Sequence, residues 1–560
     1  MPDPASRPLI EIFDTTLRDG AQTEGISYSV DDKLRIARKL DDLGVAYIEG
    51  GWPGSNPKDA VFFAHARGET WKHAKIVAFG ATRRANLKPA DDASVRALVD
   101  AGTEVCAIFG KSSVLQVKEV LRTTLTENLK MIEDTVVYLR GQGKRVIYDA
   151  EHFFDGHRLD AAYALQSLEA AVKGGAETIV LCDTNGGSLP WQIESAVAEV
   201  IARLGKVPVG IHAHDDTGCG VANTLAAVRA GARHVQGTIN GYGERCGNAN
   251  LCVVIPTLEL KLNFQALPAG ALAHLHEVAR FTAEVANLAP NVHMAYVGDS
   301  AFAHKAGVHV AAMQRHPDAY QHINPAVVGN ATRVVISELS GRANVVSKAG
   351  EPGFTNIDAA TSAKVIEIIK TKEHEGYSFE AAEASAALLV RRLAPDYQPL
   401  FTLRDYRGMV SRHGERSMAE ATIKLNIGGH EVHTAAEGNG PVNAFDQALR
   451  KALQPLFPQV KDISLTDYKV RIINSNLGTA AITRVLIDWH DSGPDESASG
   501  ERRWSTVGAG ANILDATWLA LADGYEYRIA ATQKGERADP HAVSPIQPDR
   551  PSALRATRST

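Results

Sequence analysis

Gly210-Ile211-His212-Ala213-His214-Asp215-Asp216 reads as the carboxyl end of a buried strand. Alternate side chains of a strand point the same way, so His212 and His214 share a face. Two imidazoles on one face can grip one metal ion. His-x-His pairs also occur as satisfied core or surface residues, so the pair needs its context. From Leu9 to about Pro256, short apolar runs alternate with helical patterns. Strands are predicted at Ile10–Leu17, Tyr47–Gly51, Lys75–Thr82, Glu104–Gly110, Arg145–Glu151, Thr178–Thr184, Pro208–His214 and His234–Ile239. Their Val and Ile content is that of strands buried on both faces. Helices are predicted at Asp31–Leu43 (capped by Ser29 or Asp31 and ended by Gly44), Pro89–Ala101, Thr126–Gly141, Asp160–Gly174 and Pro190–Leu204. Eight β-α units of this length predict an α/β chain whose first part is a closed (β/α)8 TIM barrel, ahead of an open doubly wound sheet.

In such a barrel the chemistry gathers where the strands end. Polar residues do collect there: Asp14 to Gly20 after the first strand, Glu49-Gly50-Gly51 in the second, Asp149-Ala150-Glu151-His152 in the fifth, Cys182-Asp183-Thr184-Asn185 in the sixth, and Asn240 to Asn248 after the eighth. Asp19, His212 and His214 form a mixed carboxylate and imidazole set suited to a divalent ion, Mn²⁺ or Mg²⁺ ahead of Zn²⁺. Three protein ligands leave positions open for the ketone and carboxylate oxygens of an α-keto acid. Arg18 is placed to stabilise charge developing on the ketone oxygen, or else to form a salt bridge at the rim. Glu151 is a candidate for proton transfer, and Thr184 either binds a substrate carboxylate or satisfies nearby backbone. His309, in a helical segment beyond the barrel, is suited to proton transfer. The run Gly241-x-Gly243-x-x-x-Gly247 has the wrong spacing and the wrong place for a dinucleotide fingerprint.

Beyond Pro256 helices are expected at His274–Ala286, Asp358–Lys372 and Ser378–Arg392. From about Leu400 the pattern turns to strands, at Ser417–Ile427, Lys469–Ile473 and Ala481–Trp489. An internal echo appears there. Thr434 to Gly440 leads into a helix Val442–Leu453, and Ser505 to Gly510 leads into a helix Ile513–Ala522. This implies a duplicated small α/β domain built from two strand–strand–GxG–helix units. Each GxG either binds an anion at a helix start or only caps it. Asp491–Gly500 is expected as a polar hairpin loop.

Composition excludes several classes. At 560 residues the chain holds two to four domains, and a net charge of −6 gives no sign of nucleic acid or an acidic membrane surface. No secretory signal and no membrane-spanning run are read. The five cysteines contain no CxxC pair, as expected of reduced thiols in a cytoplasmic protein.

Three barrel stretches then stand together: Asp14-Thr15-Thr16-Leu17-Arg18-Asp19-Gly20-Ala21-Gln22, His212-Ala213-His214-Asp215-Asp216-Thr217-Gly218 and Gly243-Glu244-Arg245-Cys246-Gly247-Asn248-Ala249-Asn250. They resemble the metal-dependent aldolase-like barrels of the isopropylmalate/homocitrate synthase superfamily. Ala301–His309, Val328-Gly329-Asn330 and Ser340-Gly341-Arg342 extend the likeness, which covers roughly Ile10 to Thr532. Glu49 to Asp59 and Asp149 to Gly156 look most like its citramalate synthase branch.

That resemblance implies three segments, a catalytic barrel over 1–265, helical linker subdomains over 266–395 and a regulatory dimerisation domain over 396–538, and the Pro, Ser and Arg content of 539–560 predicts a disordered tail. It implies an acyltransferase that condenses acetyl-CoA with pyruvate and water to (R)-citramalate and CoA, in isoleucine biosynthesis. The alternative is 2-isopropylmalate synthesis from 2-oxoisovalerate. It implies Asp19, His212, His214 and Asn248 around the metal, Arg18, Glu151 and His309 as catalytic, and Thr184 and Tyr320 as substrate-binding. A homodimer and an isoleucine or leucine effector are implied as partners. One departure stands out: Val310-Ala311 follows His309 where many relatives carry Gln-x or Gln-Asp, so no acid orients the imidazole from that position. His304 is the alternative base.

Overall fold

The structure is a computed structural model and describes residues 7–335, 337, 359–394, 397–493 and 503–533. Eight parallel strands pair in sequence order and close on themselves: β1 (Glu11–Asp14), β2 (Tyr47–Gly51), β3 (Lys75–Ala81), β4 (Val105–Lys111), β5 (Arg145–Glu151), β6 (Thr178–Asp183), β7 (Val209–Ala213) and β8 (His234–Gly237). The closure is β8 on β1, with Phe13 opposite Gln236. This is the TIM barrel, not the open sheet.

Period-two alternation gives the barrel two cores. Phe13, Tyr47, Val77, Phe79, Val105, Ala107, Ile147 and Val180 fill the interior. Their neighbours Ile12, Ile48, Ile76, Ile108, Val146, Ile179, Ile211 and Val235 face outward, under the helices. Burial on both faces is why these strands read as continuous apolar runs. The helix Val30–Leu43 starts at Ser29, whose hydroxyl accepts from Asp32 N–H while Asp32 answers on the Ser29 backbone; Asp31 is not the cap. It ends at Gly44, at a φ of 89°.

Several boundaries differ from the sequence reading, and each difference has a local cause. β1 stops at Asp14 and does not run to Leu17. The Asp14 carboxylate accepts from the Thr16 N–H and hydroxyl, both at 2.9 Å, and turns the chain over the mouth. β7 stops at Ala213, and His214 forms a single bridge with Asn248. The predicted helix Pro89–Ala101 is a 3₁₀ turn (Pro89–Asp91) followed by Ala93–Asp100, because Asp92 is extended and caps Ser94. A short helix Phe153–Leu159, absent from the sequence reading, follows β5.

The chain divides into two compact units: residues up to Ala303 with His322–Thr332, and His304–Gln321 with the chain from Arg333 on. The first includes helix Leu275–Val285 as well as the barrel. In the second, the duplication is explicit, and each repeat has one strand more than the sequence suggested. Strands Thr402–His413, Arg416–Ile427 and His430–Gly438 precede helix Pro441–Leu453; strands Ile463–Ile472, Thr483–Asp491 and Arg503–Gly510 precede helix Ile513–Gln533. The pairing slips at the same place in both, between Leu403 and Asp405 and between Leu465 and Asp467. The first glycine of each GxG turn serves packing. A Cβ on Gly508 would lie 2.0 Å from the Ala516 carbonyl oxygen, and one on Gly438 would lie 2.5 Å from Ala444 N. Gly341 and Arg342, most of the 491–500 loop and the tail from 539 lie outside the described residues. Among the described residues no helix is long and apolar enough to cross a membrane.

Candidate active site

The carboxyl ends of the strands enclose a cavity of about 190 Å³ lined by Arg18, Asp19, Glu151, Thr184, His212 and His214, with Trp52, Phe79 and Phe109 as an aromatic wall. The Asp14 turn places Arg18 and Asp19 there. β7 delivers His212 from its penultimate position and His214 from just beyond its end. His212 Nε2 lies 3.4 Å and His214 Nε2 3.8 Å from Asp19 Oδ2. Among the described residues, these three form the one group of His, Cys, Asp or Glu side chains with ligand atoms all within 4.8 Å.

The donor chemistry fits a metal ion. Asp19 Oδ1 and Asn248 Oδ1 are buried without a hydrogen-bond partner. His212 Nδ1 stands 2.8 Å from Gln236 Oε1, an acceptor, so Nδ1 carries a proton and Nε2 points at Asp19, where a metal ion would take the place of its proton. Gln236 in turn donates to Asp149 Oδ1 at 3.0 Å. Burial disfavours the charged form of Asp19, but Arg18 and His212 outweigh it and hold the carboxyl far below its usual range. Burial, aided by His212, pushes His214 down to about 4, so at neutral pH it is uncharged, the form in which an imidazole can bind a metal ion.

Arg18 is fixed on three sides. Its Nε donates to Glu49 at 2.6 Å, its Nη1 to Asp19 at 3.0 Å, and its guanidinium lies 3.8 Å from the Phe79 ring centroid. Its salt bridges to Asp19 and Glu49 are therefore buried inside the mouth and not on an exposed rim. Glu151 pairs with Lys111, which sits opposite it across β4 and β5. The Thr184 hydroxyl accepts the His152 N–H at 2.8 Å, so it satisfies backbone as well as lining the cavity. Asn248 donates its amide to the Tyr242 carbonyl at 3.3 Å.

His309 and Tyr320 belong to the second unit, on and after helix Gly307–Arg315, where their rings stack at 4.2 Å. His309 is exposed and the following Val310 is buried. Burial and His309 push His304 below the usual imidazole range. The sequence reading gave no role to Glu49, Asp149, Gln236, Lys111 or the aromatic wall.

Residues 9–282 match the HMGL-like family, 296–376 the homocitrate synthase post-HMGL domain-like family, and 380–529 the LeuA allosteric (dimerisation) domain. A protein of Geobacter sulfurreducens named (R)-citramalate synthase is 49% identical over 94% of this chain and 99% of its own length. Another of that name from Aquifex aeolicus is 51% identical over 93% and 98%. The chain belongs to the (R)-citramalate synthase family. A probable 2-isopropylmalate synthase of Methanopyrus kandleri is more distant, 31% identical over 86% of this chain and 92% of its own. Arg18, Asp19, His212 and His214, which the superfamily resemblance assigns to the metal and the ketone, line one cavity.

Proposed function

We propose that this protein condenses acetyl-CoA with pyruvate and water to give (R)-citramalate and CoA. The observation that carries this reading is the buried Asp19–His212–His214 triad with Arg18 beside it, in a chain about half identical to named (R)-citramalate synthases. A divalent ion held by the triad and Asn248, Mn²⁺ or Mg²⁺ ahead of Zn²⁺, supplies Lewis-acid polarisation of the keto acid.

The chain's own groups do the rest. By the superfamily resemblance His309, assisted by Glu151, is the base that takes a methyl proton from acetyl-CoA, and the carbon so freed adds to the ketone of pyruvate. Arg18 meets the oxygen on which negative charge develops; its ties to Glu49 and Phe79 are made before substrate arrives, so little reorganisation is needed. Water then cleaves the thioester and releases CoA. Thr184 binds the keto acid, and Tyr320, stacked on His309, belongs to the acetyl-CoA side. Release of free thiol with pyruvate, compared with bulkier keto acids, is the test.

The product enters isoleucine biosynthesis in the cytoplasm, a setting in keeping with five free cysteines. The match to the LeuA allosteric (dimerisation) domain supports a homodimer regulated by isoleucine or leucine. Exposed apolar residues on its strands, among them Met409, Val410, Val470 and Ile472, support the dimer. The GxG turns are not the favoured effector contact, because Pro441 has no N–H and Asn512 caps Leu514. Isoleucine added to the full chain is expected to slow thiol release, and a chain ending at residue 399 is expected to be insensitive. Equal inhibition of both would place the effector elsewhere.

A further inference from the structure

Trp52 leaves β2 into the cavity wall. Its indole stands edge-on to Phe79, at 5.7 Å and 90°, and to Phe109, at 5.4 Å and 85°. Those contacts fix the plane of the ring. Its Nε1 is buried and has no hydrogen-bond partner among the described residues. Buried indole N–H groups normally find an acceptor. Here the cavity that the ring lines is the place where one would arrive.

The backbone of Trp52 is held by a buried ion pair. Asp59 Oδ2 accepts the Trp52 N–H at 2.9 Å, and Asp59 Oδ1 takes the Lys33 ammonium, which also donates to the Gly50 carbonyl at 3.0 Å. Lys33 is 2% and Asp59 5% exposed. Gly51 makes the approach possible: its φ is +143°, and a Cβ there would fall 2.4 Å from Asp59 Cγ. A buried charge pair is a costly way to hold a loop unless its geometry matters. This one ties the helices Val30–Leu43 and Pro57–Ala66 to the last residues of β2.

We propose that Trp52 is a substrate-binding residue whose indole N–H donates to an oxygen of the keto acid, and that Lys33 and Asp59 are positioning residues that aim it. This rests on the keto-acid reading above. Trp52→Phe keeps an aromatic ring and removes the donor. Calorimetric titration of pyruvate into the metal-loaded full chain is expected to show a dissociation constant raised about ten-fold in the variant, the loss of one hydrogen bond. The KM for pyruvate should rise in step while that for acetyl-CoA stays put. Asp59→Asn should raise the same KM, and the double variant should be no worse than Trp52→Phe alone. An unchanged pyruvate affinity in Trp52→Phe overturns the proposal. So does a loss shared equally by both substrates, which marks Trp52 as wall only. Wild-type protein that binds no pyruvate would instead strike the keto-acid reading itself, and the proposal with it.

Discussion

Arg18→Gln is expected to lower kcat by about 10²–10³-fold, the usual loss when one preorganised donor to a developing oxyanion is removed. The guanidinium does two jobs at once. It faces the cavity, and it is the counter-ion of Glu49, which is 0% exposed. Glutamine leaves Glu49 as an uncompensated buried charge, a change that costs on the order of 3 kcal/mol of stability. The variant should therefore melt earlier as well as turn over slowly. Arg18→Lys separates the two effects. Its ammonium restores the charge but cannot span Glu49 and Asp19 with a planar fork or lie flat on Phe79. Stability should largely return and turnover should not. A kcat within a few-fold of wild type in Arg18→Gln, by thiol release, would remove Arg18 from the chemistry.

The second large effect concerns metal affinity, read by calorimetric titration of Mn²⁺ into metal-stripped protein. His212→Ala deletes a ligand and is expected to leave no measurable site, with turnover lost in parallel. Gln236→Leu keeps every ligand but frees the His212 ring, and such outer contacts are typically worth 10–100-fold in affinity. The Nδ1 proton now held by Gln236 Oε1 would be able to move to Nε2, where it blocks the ligand lone pair. Asp149 would also lose its donor. Wild-type affinity in Gln236→Leu would mean that packing alone orients His212.

The barrel was legible because its strands carry a doubly buried pattern. Tyr47–Gly51 and Arg145–Glu151 fall where the apolar runs placed them. Strand ends were less legible, since a side chain can capture the backbone: Asp14 ends β1 three residues before the apolar character of Leu17 does. The clustering of Asp19, His212 and His214 was legible for a related reason, as His212 and His214 sit two apart and Asp19 follows a strand end. Glu49, Asp149 and Gln236 were not. The partners lie 31 residues apart for Arg18–Glu49, at the ends of neighbouring strands, and 87 apart for Gln236–Asp149, which only barrel closure brings together. Strand Thr402–His413 escaped notice because charged residues interrupt its alternation, and it is stabilised by pairing with Arg416–Ile427.

Pyruvate and 2-oxoisovalerate differ by two methyl groups, and an apolar wall such as Trp52, Phe79 and Phe109 discriminates at about 10-fold or more per group. Initial rates of thiol release from acetyl-CoA with each keto acid should give a kcat/KM for pyruvate at least ~10²-fold above that for 2-oxoisovalerate. Equal or higher kcat/KM with 2-oxoisovalerate would contradict citramalate synthesis as the activity of this chain.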